Sequence, residues 1–312
     1  MDPFIIRNYR KGDEEGITSL FKDVFRNEMT VDQWRWKYFI PGSGKIYSKV
    51  VENAAGHIIG HAGAIPLRGS FQNKPVQFFQ IADVMVHAEA RGFLGRKNVF
   101  EVMMKSLFEG INNEFPDVFC YGFPGRRPFL LGKRVGVYEE VEGALDCVKY
   151  SRPSLLNPYK IKPLRWDDRR LNDIWSSLSK DFPLAVIRDR DYLRWRYAGN
   201  PFFSYELLGG FLFGRLKGWL VIKDSGEEVF VVDQLIEKNR CGNILTAFQK
   251  YLLSRGKKDF RLWVSEDWRR NIKDCRLEKT PVVVTNMVWK LPYTTCVVRK
   301  NLYYTMGDTD IF

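Results

Sequence analysis

Asp83-Val84-Met85-Val86-His87-Ala88-Glu89-Ala90-Arg91-Gly92 is the place where an apolar strand gives way to a glycine-bearing turn. Phe79, Ile81, Val84 and Val86 predict a strand from Phe78 to His87. The turn runs from Arg91 to Gly95. Beyond it Val99, Phe100, Val102, Met103, Leu107 and Phe108 recur at helical spacing. Strand, turn and helix in direct succession indicate an α/β layered fold.

The flanking sequence extends the pattern in both directions. Phe4 to Asn8 reads as a strand, Lys11 to Glu15 as an acidic turn, and Ile17, Leu20, Phe21, Val24 and Phe25 as the face of a helix. Thr30 to Phe39 predicts a second helix, stopped by Pro41-Gly42. Lys49 to Val51 and His57 to Ala64 form a hairpin around Asn53 to Gly56. Downstream come a strand at Phe119 to Phe123, a break at Pro124-Gly125, a helix at Phe129 to Val135 and a strand at Val141 to Val148.

Much of this recurs. Gln33-Trp34-Arg35-Trp36-Lys37-Tyr38 returns as Tyr192-Leu193-Arg194-Trp195-Arg196-Tyr197, followed in each case by a proline (Pro41, Pro201) and a tyrosine opening an apolar run (Tyr47, Tyr205). Similarity across half a chain means two copies of one domain. A proline-rich connector, with Pro153, Pro158 and Pro163, separates them. The expected organisation is a first domain over 1–150, a linker over 151–162 and a diverged second domain over 163–312. The tail from Tyr303 to Asp310 is aromatic at its start and is expected to dock on the body. Trp36 and Tyr38 read first as residues that fix a helix against a sheet. The basic members Arg35, Lys37, Arg194 and Arg196 are expected to point outwards or to stack on the rings.

Composition narrows the function classes. At 312 residues with 45% hydrophobic content the chain suits two soluble domains. Its apolar runs are too short to span a bilayer, and no signal peptide is evident, so a cytoplasmic protein is expected. The five cysteines lie far apart with no CxxC pair, and there are three histidines. That argues against a disulfide framework and against a metal centre. The net charge of +12 fits an anionic ligand such as a polyphosphate, while the dispersion of the basic residues argues against nucleic acid.

The run from Asp83 to Gly92 resembles the fourth strand and acetyl-CoA loop of the GCN5-related N-acetyltransferases (GNAT). In that family a strand leads into an Arg/Gln-x-x-Gly-x-Gly/Ala loop and then a helix. Backbone N–H groups of such a loop bind the pyrophosphate of coenzyme A. Leu131-Gly132-Lys133-Arg134-Val135-Gly136-Val137 likewise resembles the family's helix end before its last strands. The resemblance implies two tandem GNAT-like domains, each a mixed central sheet flanked by helices. It implies a cofactor site of Met85, Val86, His87, Arg91, Gly92, Phe93, Leu94, Gly95 and Arg96. The chain departs from the pattern at Leu94 and Arg96, where the family places small residues. The second half offers only Arg240-Cys241-Gly242-Asn243 at the corresponding place.

Direct transfer to an amine needs a group to accept a proton and one to reprotonate the leaving thiolate. The family's usual tyrosine would fall at Gly132 and is missing. Tyr121 and Tyr138 lie nearby, and Asp83, His87 and Tyr121 are the candidate catalytic residues. Trp36, Tyr38 and Arg126 are the candidate acceptor contacts. The expected activity is acyl-CoA-dependent N-acyl transfer, from acetyl-CoA or a related acyl-CoA to a primary amine, with no metal. Two alternatives stand beside it: an aminoacyl transferase of the peptidoglycan cross-bridge type using aminoacyl-tRNA, and an inactive scaffold that keeps the fold.

Overall fold

The computed structural model describes residues 4–40, 44–91, 98–149, 157–269, 271–272 and 275–309. In its first half β1 (Phe4–Asn8) is followed by α1 (Glu14–Phe25) and α2 (Val31–Tyr38), then β2 (Tyr47–Asn53), β3 (Ile58–Phe71) and β4 (Lys74–Val86). Next come α3 (Val99–Glu114), β5 (Val118–Gly122), α4 (Arg126–Arg134) and β6 (Tyr138–Lys149). The second half opens with β7 (Tyr159–Pro163), α5 (Arg170–Leu178), β8 (Leu184–Val186) and α6 (Arg190–Leu193), which a π-helical turn carries on through Ala198. It continues through β9 (Glu206–Leu212), β10 (Arg215–Asp224), β11 (Val229–Ile236) and α7 (Cys241–Leu253). It ends with β12 (Phe260–Val264), α8 (Glu266–Arg269), β13 (Cys275–Met287) and α9 (Thr295–Asn301).

The chain divides into two compact units that interleave in sequence. One comprises Met1–Arg68, Val76–Val141 and Val284–Val298; the other comprises Gly69–Pro75, Glu142–Val283 and Arg299–Phe312. In the first unit the strands run β1, β2, β3, β4, β5, with the end of β13 beside β5. β4 and β5 are parallel, from Gln77↔Val118 to Ile81↔Gly122. In the second the order is β7, β9, β10, β11, β12 and then β6, with β11 and β12 parallel. Each is a mixed sheet with one parallel pair and a closing antiparallel strand. The closing strands come from the opposite half of the sequence: Thr285 and Asn286 pair with β5, and 145–149 pair with β12.

Apolar helix faces cover the sheets. On α3 Met103, Met104, Leu107, Phe108 and Ile111 are buried; on α7 Ile244, Leu245, Phe248 and Leu252 are. The duplicated motif opens alike in both units. Thr30 accepts from the Gln33 N–H in a capping box, and Asp189 accepts from the Tyr192 N–H. These caps put the two copies in exact register, Lys37 with Arg196 and Tyr38 with Tyr197.

Candidate active site

In the first unit, the motif's last two residues turn into the core. Lys37 Nζ donates to both carboxylate oxygens of Asp83 at 2.9 and 3.0 Å, and the Tyr38 hydroxyl donates to Oδ2 at 2.8 Å. The backbone carbonyl of Asp83 lies 2.8 Å from Nδ1 of His61. A carbonyl only accepts, so Nδ1 carries the proton and Nε2 is the basic nitrogen. Burial lowers the His61 pKa, keeping the ring neutral. Trp34 packs on Tyr38 with ring centroids 4.8 Å apart and meets His61 edge-on. Gly63 makes room for Tyr38: a Cβ there would collide with the phenol ring.

Asp83 itself has φ +48°, a left-handed conformation uncommon for a non-glycine residue. Both its side chain and its carbonyl are therefore anchored at a kink in β4. β5 ends at Gly122, opposite Ile81, while β4 continues to Val86. The parallel pair thus opens at its carboxyl end, the place where open α/β sheets bind ligands. A 3₁₀ turn at Ala88–Ala90 follows, and eight residues, 91–98, lead to α3, whose first turn is capped by Asn98 accepting from the Phe100 N–H.

The second unit repeats the tyrosine and changes the rest. Tyr197 donates to Asp233 at 2.7 Å, as Tyr38 does to Asp83. Asp233 pairs with the fully buried Arg188 at 2.9 Å, and Arg188 also binds Asp308 of the C-terminal tail. Arg196 donates to the carbonyls of Gly307 and Thr309, and Gly307 lies against the Tyr197 hydroxyl so closely that a Cβ would clash. Here Gly307 and Thr309 of the tail accept from the motif's arginine, and Asp308 is paired with Arg188. The 3₁₀ turn Lys238–Arg240 runs straight into α7 at Cys241, with no counterpart of residues 91–98.

Other candidates from the sequence are scattered. His87, with its side chain one-third exposed, directly follows β4 and lies 3.9 Å from Glu89. Met85 is buried and Val86 half-buried. Arg91 is exposed and folds back, its Nε donating to the Val86 carbonyl at 2.7 Å. Gly92, Phe93, Leu94, Gly95 and Arg96 lie outside the described residues. Tyr121 is buried, stacked on Phe119 and edge-on to Phe123. Trp36 is half-buried; Arg126 is exposed, 3.4 Å from Glu140 and over the Phe129 ring. At the place of the missing family tyrosine, a Cβ on Gly132 would strike the ring of Tyr138, which is buried and whose hydroxyl pKa burial raises.

One expectation needs correction. Lys37 does not point outwards: it is buried against the Asp83 carboxylate that compensates it. Arg196 is buried as well, donating to tail carbonyls, with its guanidinium 5.9 Å from the centre of the Trp195 ring, as the stacking alternative expects. His61, Arg188 and Asp233 were not singled out. One signal was present for Asp233: like Asp83, it stands four residues from its strand's exit into a 3₁₀ turn.

Residues 5–136 match the acetyltransferase (GNAT) domain family. This span is a GNAT domain. Over nearly its whole length the chain has the fold of larger proteins of this kind. A probable N-acyltransferase from Enterococcus faecalis superposes with a TM-score of 0.69 at 15% identity, covering 92% of this chain and 73% of that one. A GCN5-related N-acetyltransferase from Anabaena variabilis gives 0.68 at 10%, covering 91% and 73%. Saccharomyces cerevisiae N-myristoyltransferase with bound myristoyl-CoA gives 0.60 at 11%, covering 94% and 84%. No curated protein matches the chain in sequence at a significant level. The GNAT domain thus coincides with the unit that carries the kinked strand and the eight-residue segment. No described helix is long and apolar enough to cross a membrane.

Proposed function

We propose that the protein is an acyl-CoA-dependent N-acyltransferase acting on a primary amine, acetyl-CoA being the first donor to test. The observation that carries this reading is the asymmetry at the end of the parallel pair. In both units the first strand of the parallel pair runs on past its last pair, Ile81↔Gly122 or Val231↔Leu262, but in the GNAT unit eight residues separate the 3₁₀ turn from α3, whereas in the other unit the turn enters the helix directly. An acyl-CoA would lie along this strand end. Met85 and Val86 lie on the overrunning strand, and Arg91, with the Gly92 to Arg96 stretch that follows it in sequence, is the segment assigned to the phosphates. The bound thioester supplies the activated acyl group.

The chain's own residues then handle the acceptor and its proton. His87, partly exposed at the end of β4, is placed to accept the proton an ammonium must lose before attack. Asp83, buried and tied to Lys37 and Tyr38, holds the strand; Tyr121 lies among aromatic rings on the neighbouring strand. Trp36, Tyr38 and Arg126 are the acceptor-side candidates, Tyr38 through its hold on Asp83. The second unit, lacking the segment and holding the tail, is a diverged copy that binds no CoA.

Isothermal titration tests this. Acetyl-CoA should bind once per chain, and thiol release should follow on adding a primary-amine acceptor. Titration of myristoyl-CoA beside acetyl-CoA sets the acyl length. A folded protein that binds neither at millimolar concentration refutes the reading.

A further inference from the structure

The turn that joins β9 to β10 carries a residue that the turn itself does not favour. Leu212 pairs with Arg215, so Phe213 and Gly214 alone close the hairpin, with φ values of 48° and 78°. Two-residue turns with both φ values positive are best filled by glycine or asparagine. Gly214 meets that demand. Phe213 does not, because in a left-handed conformation its Cβ crowds the following carbonyl oxygen. Packing recovers little of the cost: the side chain is 88% exposed, and among the described residues its ring meets no other ring and no cation. A glycine would serve the fold better, so the phenylalanine stands at the tip for something outside the fold. Backbone strain of this kind concentrates at sites of function.

The surroundings indicate which function. Tyr159, Leu212 and Arg215 stand in one row across β7, β9 and β10 just behind the tip, and Lys160 opens the next row opposite Phe211. Lys217 lies where the register of β9 and β10 shifts, between Leu216 and Gly218. Arg215 and Lys160 are exposed and Lys217 is half-buried; among the described residues none of the three has an ion pair. Glu237, the carboxylate near Lys217, is engaged by Arg240. Arg240 also donates to the Tyr159 hydroxyl at 2.9 Å, which places a fourth cation at this end of the sheet. Apolar surface is scarce beside the ring, since Leu212 is half-buried and Gly214 has no side chain. A protein partner needs a contiguous apolar patch to cover; a bilayer does not. One ring can pass between lipid headgroups while lysine and arginine stay at the level of the phosphates, drawn there by the negative surface potential. We propose that the β9–β10 hairpin docks on an acidic membrane surface, with Phe213 entering the headgroup layer and Arg215, Lys160 and Lys217 meeting the lipid phosphates. The net charge of +12 attracts the whole protein to such a surface, and the hairpin gives that attraction a fixed point of entry. The contact uses no residue assigned to acyl transfer and is independent of that reading.

Co-sedimentation of the full-length protein with lipid vesicles tests this. The wild type should bind vesicles of phosphatidylcholine and phosphatidylglycerol in equal parts, bind pure phosphatidylcholine about tenfold more weakly or worse, and release the acidic vesicles as salt rises from about 0.05 to 0.5 M. Phe213→Gly should weaken binding about tenfold or more, the scale of one aromatic side chain left in water. This variant relieves the strain of the turn, so its melting temperature should equal or exceed that of the wild type, and unfolding cannot account for the loss. Phe213→Trp should keep the affinity. Lys160→Gln combined with Arg215→Gln should cost about tenfold or more and reduce the response to salt. Phe213→Gly binding acidic vesicles as tightly as the wild type would mean that net charge alone holds the protein there, and would overturn the proposal. A wild type that binds neither kind of vesicle would overturn it as well and leave the tip to a protein partner.

Discussion

Arg188 donates to Asp233 at 2.9 Å, and neither side chain reaches solvent. The same guanidinium binds Asp308, so one arginine compensates two buried carboxylates and fastens the C-terminal tail. Thr305 joins them, its hydroxyl 3.0 Å from Asp233. Burial raises the Asp308 pKa while Arg188 opposes the rise. In the GNAT unit the residue at the same distance before the helix cap is Met29. The second copy has thus exchanged an apolar side chain for a charge that the tail requires.

Arg188→Met tests that dependence. It leaves Asp233 and Asp308 buried without their cation, and breaking a buried pair this way costs about 3–5 kcal/mol. Urea unfolding should show the loss, and limited proteolysis should show the tail cut more readily. Adding Asp308→Asn to Arg188→Met removes one of the stranded charges and should recover part of the stability. A loss of about 1 kcal/mol or less, the scale of an exposed pair, would contradict the account.

His61 makes stability depend on pH with a definite sign. Burial lowers its folded-state pKa below the ordinary 6.5. The unfolded chain therefore takes up a proton, as pH falls through that value, that the folded chain refuses. Stability from this residue is complete above about pH 6.5 and falls below it, by up to about 1.4 kcal/mol per pH unit. His61→Gln keeps a donor for the Asp83 carbonyl and removes the titration. Melting curves of the two proteins between about pH 7.5 and 5 should diverge as the pH drops; parallel curves would show that His61 does not carry the effect.

The sequence made the fold class legible because strand and helix periodicities are local, and the Arg-Trp-basic-Tyr spacing survived in both copies. The partner of each closing strand was not legible. β6 and β13 carry ordinary apolar patterns, and nothing in such a pattern says which parallel pair a strand will join. The site was legible as far as the β4 exit. Lys37 read as an outward-facing charge because its compensating group stands 46 positions away. His61 sits among small and apolar strand residues, and only the neighbouring kink at Asp83 gives it a task. The strain at Asp83 left no trace in composition, since aspartate is chosen there for its carboxylate.

Another of the left-handed residues, Phe213, costs stability at an exposed turn. Phe213 and Gly214 form the two-residue turn between β9 and β10, with φ values of 48° and 78° flanked by the pair Leu212↔Arg215. Turns of this kind want glycine or asparagine at both positions, and Phe213 is 88% exposed. Phe213→Gly should stabilise the protein by about 0.5–1 kcal/mol, the relieved backbone cost outweighing the added freedom of the unfolded chain. Phe213→Asn should gain less. Phe213→Ala should change little, because it keeps the strained backbone and loses no packing. Chemical denaturation of the three variants ranks them. Alanine stabilising as much as glycine would mean that the exposed ring, not the backbone, is the source of the cost.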